Sequence, residues 1–362
     1  MHITAVIPTL NPTSKLVNII NELISIGFIN VIVVNDGSKD STGNLIVSLV
    51  EKYSKLRAID CRENKGKANA LHIAAHAAQY EYLICIDSDA ILDENAPYHL
   101  IKHFLEKGER VGAVTGNPRI RNRDTLLGKL QVAEYASIIG SIKRTQRILG
   151  KLMTVSGVVV AFRKKALVTV GLWDRDMITE DIAVSWKLQK KFWDIRYEPA
   201  ALCWMLVPEK VSGLWKQRVR WAQGGQEVML RHWNVLVHWK QRRLWPVYIE
   251  QLLSTTWSVS WLIYTTYIFL TSQTFSDLFI WIGLSAFSLT MQTMIQLVIS
   301  LRNDGHYDDI KSSYLWVAWY PMVYWVLNIS VAIAALPKAI MSRIKGGYAV
   351  WESPDRGERK SA

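Results

Sequence analysis

Cysteine is scarce in this chain of 362 residues: Cys61, Cys85 and Cys203 lie far apart, are odd in number and form no CxxC. That excludes a disulfide framework and a cysteine-based zinc site, and a reduced, cytosolic setting is expected for the part that holds them. Signal-peptide character is lacking too, because residues 1–8 already read as a strand. Charge is missing over long stretches. Between Leu244 and Leu301 the charged residues are Glu250 and Asp277 alone, and Ser312 to Pro337 carries none. There is no internal repeat and no low-complexity segment.

Half of the residues are hydrophobic, 20% are charged, and the net charge is +12. Length allows one large soluble domain plus a membrane part. No helix-turn-helix, zinc or RNA-binding pattern accompanies the basic excess, so nucleic acid is not the expected partner. Lys240, Arg242, Arg243, Lys338, Arg343 and Lys345 flank the apolar stretches, where basic residues hold a protein on an anionic cytoplasmic leaflet. The surplus also suits a polyanionic donor such as a nucleoside diphosphate.

Strands expected over 2–8, 31–34, 57–60 and 82–86 alternate with helices over 13–26, 41–53 and 67–78. Such alternation predicts an α/β fold with a parallel, Rossmann-like sheet and a ligand at the carboxyl ends of its strands. Strands are also expected over 112–116 and 155–162. A long helix is expected over 125–148 and another from Asp181 to Lys190. Leu214 to His238, rich in Trp and Arg, suits a helix in the membrane interface. Three stretches, 245–270, 278–301 and 313–337, are long enough to span a bilayer. Three crossings would put the basic tail opposite a cytosolic catalytic domain, against the positive-inside tendency. One stretch is therefore expected to be re-entrant or interfacial, with the last, which holds Pro321, as the candidate. The resulting division is a catalytic domain at 1–210, an interfacial segment at 211–243, a membrane domain of two or three helices at 244–338 and a basic tail at 339–362.

Four polar signatures follow in order: Asp36 in VVNDGS, Asp87 and Asp89 in ICIDSDA, Asp181 in ITEDI, and Gln217 to Trp221 as QRVRW. Together they suit transfer of a sugar from a nucleotide to an acceptor hydroxyl. The leaving diphosphate gains negative charge, which a divalent metal and an arginine offset. Asp-x-Asp at a strand end offers hard oxygen ligands for Mg²⁺ or Mn²⁺, with Asp89 expected to ligate and Asp87 to face the nucleotide. Alone, that pair reads equally well as a turn cap, and Asp36-Gly37 as an ordinary turn. Lys67 can reach a phosphate as a point charge, or be a solvated helix-start lysine. Asp181 is the expected general base, against an N-cap role, while Glu180 is expected to point elsewhere. Arg220 can clamp a diphosphate with two parallel bonds, and Trp221 offers a flat face to a sugar ring. An interfacial Arg/Trp belt explains Trp215, Arg231 and Trp233 instead. His72 and His76 have zinc spacing, but Ile73 stands where a glutamate is needed. Arg119, Arg121 and Arg123 form a basic run suited to a solvated or lipid-facing loop, or to a phosphate-bearing effector.

These motifs resemble the processive inverting membrane glycosyltransferases, the family of cellulose, chitin and hyaluronan synthases. The blocks that carry the likeness are residues 111–129, 137–148, 176–189, 213–225 and 351–357, and they fit best the branch that makes β-1,6-linked N-acetylglucosamine polymers. The resemblance implies a nucleotide-diphospho-sugar transferase domain of the glycosyltransferase A type, followed by interfacial and transmembrane helices. It implies that Asp36, Lys67 and Asp87 hold UDP, that Asp89 binds the metal and that Asp181 is the base. Gln217 and Trp221 would sit by the acceptor end, and Arg220 on the diphosphate. UDP-N-acetylglucosamine is the implied donor and a growing polysaccharide the acceptor. A bacterial inner membrane, a small membrane subunit and cyclic di-GMP as activator are implied alongside. The alternatives are a polyprenyl-phosphate glycosyltransferase, a synthase of another polymer and an inactive nucleotide-binding scaffold. Two departures stand out. The family usually has membrane helices ahead of the catalytic domain, whereas this chain opens on a strand. Leu10 and Pro12 replace an aromatic and an acid around Asn11.

Overall fold

The computed structural model describes residues 2–12, 15–28, 30–106, 108–272, 275–310 and 320–349. Residues 351–357 and the start of the last apolar stretch lie outside that set. The chain divides into two compact units, one built from 1–122, 143–207 and 346–362, the other from 123–142 and 208–345.

In the first unit an eight-stranded sheet runs in the order β3-β2-β1-β4-β7-β6-β8-β5. Strands β1 (Ile3–Thr9), β2 (Asn30–Asp36), β3 (Leu56–Cys61) and β4 (Tyr82–Ile86) pair in parallel. β1 and β2 are buried along their whole length, as a parallel sheet covered on both faces requires. Helix α1 (Lys15–Ile26) buries Leu16, Ile19, Ile20 and Leu23, the stripe that its sequence spacing predicts. Each such side chain contributes roughly 1.5–3 kcal/mol on burial, so a charge at Leu16 would undo the contact. Helix α2 (Thr42–Lys52) links β2 to β3. Helix α3 (Lys67–Ala77) packs on β1 and β2 through small residues, Ala68, Ala70, Ala74 and Ala75. That close fit brings its first turn up to the strand ends.

After β4 the alternation breaks. A two-residue strand β5 (Ile91–Leu92) precedes α4 (Ala96–Glu106) and β6 (Val111–Ile120). Strand β7 (Val159–Arg163) wedges antiparallel between β4 and β6. It starts later than expected, and residues 155–158 form a loop instead. Helix α7 (Lys164–Thr169), α8 (Glu180–Lys190) and β8 (Asp194–Met205) complete the unit. His103 and Lys102 of α4 meet Glu198 of β8 at 2.8 and 3.0 Å.

The helix expected over 125–148 is present as a continuous helical run over 126–149 that carries a π-helical turn in its middle. It forms α5 (Leu126–Glu134), a π-helical turn (Tyr135–Gly140) and α6 (Ser141–Leu149). Thr125 caps α5 by accepting from Gly128 N at 3.0 Å. In the second unit, α9 (Val211–Arg231) packs against α12 (Tyr320–Lys345), with Val219, Val331 and Ala335 in contact. Just after α9, Trp233 and Trp239 stand exposed. Helices α10 (Trp245–Thr271) and α11 (Phe275–Asp304) come next and leave large apolar side chains uncovered, Leu253, Ile263, Phe279 and Phe287 among them. Uncovered apolar surface on that scale suits lipid.

Among the described helices, two are long and apolar enough to cross a membrane: Phe275–Asp304 and Tyr324–Ile344, with mean hydropathy 1.6 and 1.5. By length and composition α10 does not meet that standard. Its many hydroxyl side chains, Ser254, Thr255, Thr256, Ser258, Ser260, Thr265 and Thr266 among them, dilute its apolarity.

Candidate active site

The ends of β1 to β3 are tied by short polar side chains. Asn11, in a left-handed conformation that asparagine tolerates, donates its N–H to Ser38 Oγ (2.8 Å) and accepts from Lys39 N (3.0 Å). Asn35 accepts from Ser38 N and donates to Asp60. Gly37 follows Asp36 with φ +72°, and a Cβ there would lie 2.5 Å from Asn64 N, so glycine alone fits. Asp36 itself is buried. Its Oδ1 accepts from Lys65 N at 3.1 Å, while Oδ2 has no hydrogen-bond partner among the described residues. Burial pushes its pKa up, against two backbone N–H groups that pull it down.

Lys67 opens α3 after Gly66 and is the hub of a cluster. Its Nζ lies 2.7 Å from Asp87 Oδ1 and 2.9 Å from Glu180 Oε1, and it donates to Gly157 O at 3.2 Å. Three protein acceptors occupy its three protons. It therefore acts through potential and through the groups it organises. Burial works against its charge, but Asp87, Glu180 and Asp181 outweigh that and hold it above the ordinary lysine range. Glu180, expected to point away, turns into the cluster and is buried. Its place in the first turn of α8 aims it there.

Asp181 accepts from Gly157 N (3.1 Å, to Oδ2) and from Ile182 N (2.9 Å, to Oδ1). A Cβ on Gly157 would stand 3.0 Å from Asp181 Oδ2 and 3.2 Å from Lys67 Nζ. The loop over 152–157 is stitched to its surroundings by side chains. Gln189 accepts from Leu152 N and donates to Leu152 O, Trp186 Nε1 donates to Met153 O, and Val155 N donates to Ser185 Oγ. Gln146 of α6 accepts from Met153 N, and Thr115 of β6 from Ser156 N. Sequence spacing gives no hint of these roles, because each residue reads as ordinary helix or strand.

Asp89 is buried two residues beyond Asp87. Among the described residues no group of three His, Cys, Asp or Glu side chains is placed to hold a metal. A magnesium-type ion needs only one or two carboxylates when substrate phosphates and water complete its shell, so the donor set fits that kind of site. The strand end is rich in acid. Burial pushes the Cys203 thiol up, and Asp87, Asp89, Asp93 and Glu22 push the same way.

Gln217, Arg220 and Trp221 lie on α9 of the second unit. Gln217 Oε1 accepts from Arg218 (3.3 Å), whose guanidinium sits 4.3 Å from the Trp221 ring and pairs with Glu134 at 2.8 Å. Tyr135 meets Trp221 edge-on at 6.3 Å. One face of Trp221 is thus taken by Arg218, a residue that the motif alone did not single out. The His72 and His76 rings meet on α3 in a tilted contact, 5.1 Å between centroids.

Residues 2–224 match the sequence profile described as Glycosyltransferase like family 2. The chain belongs to this family. Within it, the chain is 47% identical over 337 residues to the poly-β-1,6-N-acetyl-D-glucosamine synthase of Staphylococcus epidermidis. That alignment spans 90% of this chain and 80% of the relative. The enzyme of the same name from Staphylococcus aureus is 45% identical over 333 residues, at the same coverage. Among solved structures, the mannosyltransferase PcManGT from Pyrobaculum calidifontis, in complex with GDP-Man and Mn²⁺, superposes with a TM-score of 0.62. That match covers 94% of this chain and 87% of the other, at 18% identity, and speaks for the fold alone. The family 2 chain is a glycosyltransferase A-type enzyme, a sugar-nucleotide-dependent transferase, with apolar helices after its catalytic part.

Proposed function

We propose that this enzyme polymerises N-acetylglucosamine from UDP-N-acetylglucosamine into a β-1,6-linked polysaccharide, with inversion, at the cytosolic face of a bacterial inner membrane. The observation that carries the reading is the convergence of Lys67, Asp87, Glu180, Asp181 and Gly157 at the strand ends of a family 2 transferase fold. Asp36 receives the uracil ring, for which its buried, unpartnered Oδ2 is suited. Asp87 and Lys67 set the donor in place, Lys67 by its positive potential. Asp89 would hold a divalent ion, Mg²⁺ or Mn²⁺, and such an ion when bound would offset charge on the diphosphate. Arg220 grips that diphosphate from α9, and Gln217 and Trp221 meet the acceptor end.

Asp181 takes the proton from the acceptor 6-hydroxyl. As it does, the oxygen forms its bond to the anomeric carbon from the face opposite the departing UDP, so α becomes β. Two backbone N–H bonds fix the carboxylate's direction, which a general base needs more than strength.

The membrane arrangement belongs to the same proposal. The chain leaves the first unit at Val207 and returns to it at Gly346, and Ala349 N donates to Arg175 O at 2.8 Å. Both ends of the helical segment thus belong on one face of the bilayer, which requires an even number of crossings. Helices α11 and α12 supply two, and α10 lies at the interface. A small membrane subunit and activation by cyclic di-GMP are included on the family resemblance.

The test is polymer synthesis by membranes holding the full chain, supplied with the small subunit and cyclic di-GMP, UDP-N-acetylglucosamine and Mg²⁺. Insoluble product cut by a β-1,6-specific hexosaminidase is expected. Resistant product overturns the linkage, label in a solvent-soluble lipid overturns the polymerase reading, and no product at all overturns the synthase. Asp181→Asn should cut the rate by about 10²–10⁴-fold and leave UDP affinity near wild type.

A further inference from the structure

Glu180 has no part in the roles given so far, yet its side chain is committed. The residue is 7% exposed, and its Oε1 lies 2.9 Å from Lys67 Nζ. Asp87 reaches the same ammonium at 2.7 Å. Of the two carboxylates Asp87 is the more open, with its side chain 22% exposed against 10% for Glu180. A solute arriving at the strand end therefore meets Asp87 first, and Glu180 acts from the protein side.

The ammonium is held from several directions. Lys67 starts α3, Asp87 follows β4, Gly157 O belongs to the loop before β7, and Glu180 starts α8. Each acceptor takes one of its three protons. A phosphate oxygen can bond to Lys67 only by displacing one of them. Two carboxylates on one ammonium also oppose its field, and a partly buried group of this kind is little screened by salt. An enzyme that adds one sugar per cycle must also let go of one UDP per cycle. Departure of product sets the turnover of many enzymes, so a full-strength lysine clamp on the diphosphate would slow this one.

We propose that Glu180 is a positioning residue that moderates the grip on the donor: by holding Lys67 it keeps the ammonium from closing on the diphosphate, so that UDP leaves between additions. The inference rests on the reading that Lys67 lies on the donor side. Glu180 itself touches neither sugar nor nucleotide, and no bond forms or breaks at it. It sets how much of the Lys67 potential the diphosphate feels.

Equilibrium binding of UDP to the detergent-solubilised full chain with Mg²⁺ tests this, with uridine as the control that lacks phosphate. Glu180→Gln keeps the shape of the side chain and removes its charge. It should tighten UDP by roughly tenfold, the scale of one hydrogen bond to a charged group, and leave uridine binding unchanged. In polymer synthesis the same variant should lower kcat and KM for UDP-N-acetylglucosamine together, each by roughly 3- to 10-fold. Glu180→Asp, whose carboxylate stands one methylene further from Lys67, should fall between, with UDP about threefold tighter. On a Lys67→Met background, Glu180→Gln should no longer affect UDP.

A folded Glu180→Gln protein that binds UDP no more tightly than wild type overturns the proposal. So does tightening that uridine shares or that persists without Lys67, since the ammonium would then not be the cause. If Glu180→Gln does not fold, Glu180→Asp decides, and UDP binding no tighter than wild type counts against the proposal. A wild-type protein that binds no UDP would remove the donor reading and this inference with it. Wild-type binding that Glu180→Gln leaves unchanged would remove the role of Glu180 alone.

Discussion

In the first unit a single ammonium, Lys67, is shared by Asp87 and Glu180 at 2.7 and 2.9 Å, with Asp181 acting on it as well. In the second, Arg218 and Glu134 close on each other at 2.8 Å, with side chains 5% and 4% exposed. The second arrangement is electrically complete and serves to hold α5 against α9. The first is over-supplied with carboxylate and draws in positive charge. Counting ion pairs would equate the two, whereas the ratio of acid to base separates a brace from a reaction site.

Breaking the brace should give the largest effect. Arg218→Met leaves Glu134 buried without its cation, and about 3–5 kcal/mol of stability should be lost. Thermal unfolding of the detergent-solubilised protein measures it, and the same assay on Glu180→Gln, which relieves crowding among acids, should show far less. A loss in Glu180→Gln equal to that in Arg218→Met would erase the distinction.

Gly157→Ala tests the site side. The added methyl would press on both Asp181 Oδ2 and Lys67 Nζ. Misplacing a reacting group by up to an ångström costs up to about 10²-fold in rate, so kcat should fall by roughly 10- to 100-fold while UDP binding and unfolding temperature hold.

Glu198 joins three partners in the first unit, away from the cluster. Burial alone would raise its pKa, but His103, Ala200 N and Lys102 bring it from 4.5 to about 2. Its folded value lies below its unfolded one, so its contribution is full above about pH 4.5 and disappears as pH falls towards 2. Glu198→Gln should cost about 2 kcal/mol at neutral pH, the scale of a hydrogen bond to a charged group. The gap from wild type should narrow on acidification. Thermal midpoints recorded against pH check both. Thr125→Ala, which removes the cap of α5, should cost the least, about 1 kcal/mol by the same unfolding assay.

The parallel half of the sheet and the acids at its strand ends are legible because hydrophobic runs and turn chemistry are local signals. Asp36, Asp87 and Asp89 follow apolar strands directly, and Asp181 follows a helix-start pattern. Glu180 is misread from sequence because neighbours on a helix normally diverge by about 100°. In the first turn, however, both can reach a group lying off the helix end. The π-helical turn inside the helix over 125–148 has no proline to mark it, only Gly140, whose missing side chain makes room for Asp304. The late start of β7 is hidden because VSGVVVAF reads as one mainly apolar run, while the N–H groups of Val155 and Ser156 are claimed by Ser185 and Thr115. Gln146 and Gln189 are out of reach for the same reason. Their importance comes from the groups that the fold brings beside them.

The double clasp between Gln189 and Leu152 has a further meaning for product uniformity. A carboxylate seated on so stiff a mount has little freedom to follow a wandering substrate. On the proposed reading, each new sugar end must come to it in one orientation, and every other hydroxyl on that ring falls out of range. Fidelity of the repeating bond would then be a mechanical property of the scaffold rather than a choice made afresh at each addition.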